Sequence, residues 1–226
     1  MPLARKLLAE GLGTMLLLAA VVGSGIMGAK LAQGNDAIAL LANAGATAGI
    51  LYVLIVVLGP ISGAHFNPAV TLAMRLRGQV TAVEALAYIA VQVIAAVVGV
   101  VLAHAMFGLE LVQPGMHART GVAQWISEAV ATFGLVLTIL LGASRAPKSV
   151  PALVASYIFA AYWFTASTSF ANPAVTIARS LTQTFAGIRL EDVPGFVGAQ
   201  IGGMLLGIVA GSALLRPERA ATTPLQ

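Results

Sequence analysis

Asn67-Pro68-Ala69-Val70-Thr71 returns as Asn172-Pro173-Ala174-Val175-Thr176, and the pair decides the fold. Each copy sits in a short apolar segment, Ser62–Met74 and Ser167–Leu181. Two further echoes keep the same order. Tyr88-Ile89-Ala90-Val91-Gln92 with Gly99 is answered by Phe196-Val197-Gly198-Ala199-Gln200 with Gly207, and Glu10 with Gly13-Thr14 by Glu128 with Ala131-Thr132. Three ordered echoes mean an internal duplication. Around the short segments lie six longer apolar stretches, Leu7–Ala29, Ala37–Leu58, Ala82–Phe107, Gln124–Leu141, Val150–Ala166 and Val193–Leu215. A hydrocarbon core of ~30 Å takes ~20 such residues of helix. Three spans per half is an odd number, so the second copy enters the membrane from the opposite side. This predicts an all-α integral membrane protein built as an inverted repeat, six transmembrane helices plus two re-entrant half-helices, with its site between the halves at mid-depth. One domain is expected over 1–226, with repeat 1 at about 5–107, repeat 2 at about 122–215 and a short tail at 216–226.

Composition excludes other classes. The 226 residues are 59% hydrophobic and 9% charged, where soluble domains carry ~25% charge. That is too little charge to cover a water-facing surface, so a soluble enzyme is excluded. Without cysteine there is neither disulfide nor thiolate chemistry. The apolar runs lack the alternation of a β-barrel. The first run is longer than a signal-peptide core of ~7–15 residues. A net charge of +4 with no run of more than two basic residues belongs to span ends rather than to nucleic acid. With the N-terminus inside, Arg5, Lys6, Arg75, Arg77, Arg145, Lys148, Arg216 and Arg219 are cytoplasmic, and Lys30, Arg119, Arg179 and Arg189 are outside. The eight-to-four split predicts cytoplasmic termini at both ends.

Each Asn-Pro-Ala precedes ~8 residues of helix, roughly 12 Å at 1.5 Å per residue. Proline suits the first helical position, and asparagine before it is a favoured N-cap. Asn67, Pro68 and Ala69, with Asn172, Pro173 and Ala174, therefore mark two half-helix starts near the membrane centre. Non-helical backbone survives there only where protein buries it or water wets it. Gly63-Ala64-His65-Phe66 before the first motif and Thr168-Ser169-Phe170-Ala171 before the second are expected as extended stretches that turn carbonyls, those of Gly63, Ala64, His65, Thr168 and Phe170 among them, to an aqueous path. Two N-termini meeting head to head set up a positive potential. The asparagine amides then orient a passing water by its oxygen and interrupt a proton wire, so cations are turned away and neutral hydroxylated solutes are not.

Glu10 and Glu128 are intramembrane carboxylates and functional suspects. Their symmetry assigns them to loop support, accepting hydrogen bonds from the re-entrant backbone. His65 offers a possible pH-sensitive ring; His104 and His117 read as packing and loop residues. No histidines share a ligand spacing, so neither a metal nor a cofactor is expected. Ser62-Gly63 with His65 is too compressed for a nucleophile and its base. The competing class is a secondary transporter, since broken helices and inverted repeats occur there too. It usually needs ion-binding groups at the midplane, where this chain offers two amides.

The paired motifs resemble the major intrinsic protein family of aquaporins and aquaglyceroporins. Ser62-Gly63-Ala64-His65, Glu10-x-x-Gly13-Thr14 and the two glutamine segments add to the likeness, which covers roughly residues 5–215. It implies one pore per subunit, usually in a homotetramer, in a cell membrane, here a bacterial inner membrane, with water and small neutral solutes as partners. Most members carry arginine directly after the second motif, where this chain has Val175. Spacing from the motifs carries the rest of the filter onto Thr47, Ala160 and Ser169. That set is small and uncharged, which implies a wider constriction without a local cation. Arg179, four residues after Val175 on one helix face, reads either as a replacement charge in the outer vestibule or as an interfacial arginine bonded to loop carbonyls. Valine at the filter resembles a bacterial subgroup associated with arsenic handling; arsenous acid is neutral, triply hydroxylated and about glycerol-sized.

Overall fold

The computed structural model describes residues 1–216; Arg219 and the rest of the expected tail lie outside them. Eight α-helices run through the described residues: α1 (Leu3–Leu31), α2 (Asp36–Ser62), α3 (Pro68–Leu76), α4 (Ala82–Met106), α5 (Val122–Arg145), α6 (Val150–Phe164), α7 (Pro173–Arg179) and α8 (Val193–Leu214). Five of them, α1, α2, α4, α5 and α8, are long and apolar enough to cross a membrane. Helix α6, the fifth of the six expected spans, has only 15 residues, about 22 Å. A 3-10 turn at Pro147–Ser149 leads into it. Local chemistry fixes several ends. Asn35 Oδ1 accepts from Ala37 N and Ile38 N to start α2, and Thr81 Oγ1 accepts from Glu84 N to start α4. Gly63, at φ 91°, closes α2 in the left-handed conformation that glycine adopts without strain.

The halves pack alike. Helix α1 lies against α2 and α4, and α5 lies against α6 and α8. Gly99 of α4 sits over the Met15 carbonyl of α1, and Gly207 of α8 over the Phe133 carbonyl of α5. A Cβ at either glycine would press on that oxygen, so the small residue sets the approach of the helices. Large apolar side chains cover the outside, among them Leu8, Leu12, Val57, Val83, Leu86, Ile94, Leu206 and Val209. Glu10, Thr71, Gln92, Glu128, Thr176 and Gln200 are fully enclosed. Polar groups inside and apolar groups outside suit lipid as the solvent.

Candidate functional site

The short helices α3 and α7 meet by their N-termini, and two asparagines make the junction. Asn67 Oδ1 accepts from Ala69 N at 2.8 Å; Asn172 Oδ1 accepts from Ala174 N at 3.0 Å and Val175 N at 3.3 Å. Each amide nitrogen then reaches across. Asn67 Nδ2 donates to the Ala171 carbonyl at 2.7 Å, and Asn172 Nδ2 donates to the Phe66 carbonyl at 2.8 Å. An amide nitrogen carries two protons, so each keeps one beyond the crossed bond. Both asparagines line a single cavity of about 270 Å³ that extends from Gln79, beyond α3, to Arg179, at the end of α7.

The backbone before each motif is held by a buried carboxylate. Glu10 accepts from His65 N at 2.9 Å, Phe66 N at 2.7 Å and the Ser62 hydroxyl at 2.7 Å. Glu128 accepts from Phe170 N at 2.9 Å and Ala171 N at 2.8 Å. Gln92 and Gln200 tie each carboxylate to the first turn of its half-helix. Gln92 Nε2 donates to Glu10 at 2.9 Å and Thr71 Oγ1 at 3.0 Å; Gln200 Nε2 donates to Glu128 at 2.6 Å and Thr176 Oγ1 at 2.8 Å. These carboxylates are fully engaged with protein donors, the geometry of a brace rather than of a proton relay.

The stretches expected to be extended are not. Ala64, Phe66, Thr168, Ser169 and Ala171 all have φ between 48° and 60°. Left-handed residues turn successive peptide planes over, which lets one short segment send N–H groups to a glutamate and carbonyls elsewhere. Such φ values are uncommon for residues with a Cβ, and the carboxylate braces offset the strain. Gly63, Ala64, His65 and Phe170 line the cavity, as do Phe66, Ser169 and Ala171; Thr168 does not.

Of the residues expected at the constriction, Thr47, Ser169 and Val175 line the cavity and Ala160 does not. Ala160 lies exposed on the outer face of α6. Tyr162, two residues on, turns inward and hydrogen-bonds Thr47 between Oη and Oγ1 at 3.2 Å. The spacing carried over from the family's motifs therefore slips by two residues on α6.

Two arginines stand beside this end of the cavity. Arg179 is buried, at 2% exposure, and lines it. Its Nε donates to the Ala186 carbonyl, and its guanidinium lies 3.4 Å from the Phe170 ring centroid. Arg119 comes from the loop between α4 and α5, which no motif marked. Its guanidinium donates to the carbonyls of Gly187 at 2.9 Å and Ser167 at 3.3 Å, and sits 5.0 Å from the same ring. Backbone bonds join its loop to the one after α7, Gly115 N to Ser180 O at 2.8 Å and Arg189 N to His117 O at 2.9 Å. Asp192 accepts from Arg119 N at 2.7 Å. Burial works to raise the Asp192 carboxyl, but hydrogen bonds from the Arg189 side chain and the Arg119 backbone outweigh it and hold it below its ordinary value.

At the opposite side of the Asn pair, His65 contacts Thr71 Oγ1 through Nδ1 at 3.1 Å and packs edge-on to Tyr88. His104 is buried between the Leu111 carbonyl, 2.9 Å, and Thr182 Oγ1, 2.7 Å. No group of three metal-ligating side chains occurs among the described residues.

The profile of the family described as Major intrinsic protein matches residues 1–164. The chain is 55% identical to the aquaglyceroporin AqpS of Rhizobium meliloti (strain 1021) across 96% of its own length and 93% of that protein. It is 30% identical to the aquaporin TIP2-3 of Arabidopsis thaliana, over 96% of its own length and 90% of the relative. The X-ray structure of the aquaglyceroporin from Plasmodium falciparum superimposes with a TM-score of 0.71, covering 93% of this chain and 95% of that one at 14% identity. The eight-helix arrangement is therefore the aquaporin fold.

Proposed function

The chain belongs to the major intrinsic protein family, a family of channels rather than enzymes, and from that premise we propose that it is a passive pore for water and small neutral solutes, glycerol-like polyols and arsenous acid among them. The observation that carries the reading is the crossed asparagine pair on a continuous cavity. Two half-helix N-termini give that point a positive potential. It repels cations and offers the free amide protons to a solute oxygen, with no titratable group at the crossing to couple transport to an ion. Val175 leaves space and no donor directly after the second motif. Both features suit a triply hydroxylated neutral molecule such as arsenous acid better than a water-only filter would. Thr47, Tyr162, Ser169 and Val175 form the constriction in this reading. The whole chain acts as one channel domain of two repeats in a bacterial cell membrane, with cytoplasmic termini and as a homotetramer.

Stopped-flow light scattering on proteoliposomes with water, glycerol, urea and arsenous acid tests it. Flux should follow the solute gradient and ignore ionophores; flux that collapses with an ion gradient would favour a transporter. Val175→Arg, which adds a permanent charge and a bulky donor, should lower arsenous acid and glycerol permeability about tenfold relative to water, a change of about 1.4 kcal/mol. An unchanged ratio in well-folded Val175→Arg would move the constriction elsewhere.

A further inference from the structure

We propose that the charge and hydrogen-bond donors absent at Val175 are supplied from lower on the same half-helix by Arg179, which lines the cavity and is the solute-selecting element of the mouth beside α7, while Arg119, outside the lining, adds charge near the Phe170 ring. The proposal rests on the reading of the cavity as a pore.

Burial comes first. A guanidinium inside a membrane protein is costly unless its N–H groups find acceptors. Arg179 satisfies Nε on the Ala186 carbonyl, and its charge faces the Phe170 ring. Its Nη1 is buried without any hydrogen-bond partner among the described residues. A structural arginine bonded to loop carbonyls would use that nitrogen as well. Here the residue carrying it lines the cavity together with Val175, one turn earlier on α7.

The second observation is the Ser169 hydroxyl. It lines the same cavity and is likewise buried without a partner. Buried polar atoms are nearly always paired, so each exception asks for a reason. The two orphans are complementary. Both atoms are enclosed at rest, and a turn of each side chain toward the cavity that both residues line lets a hydroxylated solute accept a proton from Arg179 Nη1 and donate one to Ser169 Oγ; a cation has nothing to offer a guanidinium. Water makes the same two bonds but leaves its remaining surface unmatched in a mouth widened by Val175.

Arg119 supplies the third observation. Its guanidinium is fixed by two carbonyls, and neither arginine pairs with a carboxylate among the described residues. The nearby Glu128 spends both oxygens on the Phe170 and Ala171 amides and on Gln200. Two unneutralised cations therefore stand around Phe170 where the family's usual filter has one, contributed by different positions. The ligand class is a small neutral molecule with at least two hydroxyl groups.

The test uses full-length protein in proteoliposomes, measuring glycerol, arsenous acid, water and K⁺ permeability for wild type, Arg179→Gln, Arg179→Lys and Arg119→Gln. Protein amount and assembly are recorded beside each. Arg179→Gln should lower the glycerol-to-water ratio about tenfold, the scale of one hydrogen bond to a charged group, and raise K⁺ leak. Arg179→Lys keeps the charge and loses the fork, so K⁺ exclusion should stay while the glycerol ratio falls. Arg119→Gln should raise K⁺ leak and move the glycerol ratio less. Wild-type ratios and K⁺ exclusion in folded Arg179→Gln overturn the proposal. If that variant does not fold, a wild-type glycerol ratio in Arg179→Lys overturns it instead. Absence of gradient-driven flux in the wild type would count against the pore itself, a separate outcome.

Discussion

The segments that carry the two motifs share a frame and differ in chemistry. His65 before Asn67 and Phe170 before Asn172 hold equivalent places, and so do their aromatic partners. His65 meets Tyr88 at 5.3 Å and 63°, and Phe170 meets Phe196 at 5.1 Å and 73°. Around that common pair the charged neighbours diverge. The His65 ring touches a threonine hydroxyl and has Glu10 and the Lys6–Glu84 ion pair as its charged neighbours. The Phe170 ring has two arginines over it. The next residue shows an exchange of bulk: Phe66 packs where Gly13 leaves space on α1, while the equivalent positions of the second half, Ala171 and Ala131, are two alanines in one buried cluster. Duplication preserved the bonds that hold the backbone and released the side chains facing the cavity, so the two mouths became chemically distinct.

The largest effect should come from the shared brace. Glu128→Ala leaves the Phe170 and Ala171 N–H groups and one of the two Gln200 amide protons without acceptors, at about 1–3 kcal/mol each. Glu10→Ala orphans the Ser62 hydroxyl as well, so it should lower the thermal unfolding midpoint in detergent further. The reverse order would mean that the extra Ser62 bond does not strengthen the first brace.

Next come Asn67→Asp and Asn172→Asp. Each loses the crossed donor and places a negative charge where two helix dipoles repel cations. Cation leak in liposomes should rise about tenfold or more, given that a close unit charge is worth on the order of 1–4 kcal/mol. The two variants should agree, because the crossed bonds are symmetric. A leak in only one would show that the asymmetry of the mouths extends to the centre.

The exchange of bulk gives the smallest effect. Gly13→Ala pushes a methyl into the Phe66 ring and should cost about 1–3 kcal/mol; Ala131→Gly should cost only about 0.5–1 kcal/mol. Equal costs, read from the same melting experiment, would dissolve the distinction between the halves at that level.

Legibility followed locality. Helix starts at Asn67 and Asn172 depend on a few neighbouring residues, and the sequence states them outright. The glutamate braces were readable because duplication printed the same long-range bond twice. The weakest echo, Glu10 with Gly13 against Glu128 with Ala131, marks a fully buried contact of each half. Ala160 rested on the family's spacing, twelve residues before Asn172, and the side chain that α6 turns inward here is Tyr162, ten before it. The left-handed φ values were hidden because Ala64, Phe66 and Ser169 are not residues that advertise them. Arg119 had no signal at all. Its position depends on pairing between two irregular loops and on an aspartate 73 residues away.

The crossed asparagines also impose an order in time. Asn67 donates to a carbonyl 104 residues further along the chain, and the Phe66 carbonyl waits for an amide 106 residues away. At a synthesis rate of ~5–20 residues per second, roughly 5–20 s separate the arrival of the first half-helix from that of its counterpart. Throughout that interval α3 has its proline start and its glutamate brace but lacks the bonds that close its tip. The first repeat is thus born as an unfinished receptor for the second, and the pore comes into being only when the last third of the chain docks into the first.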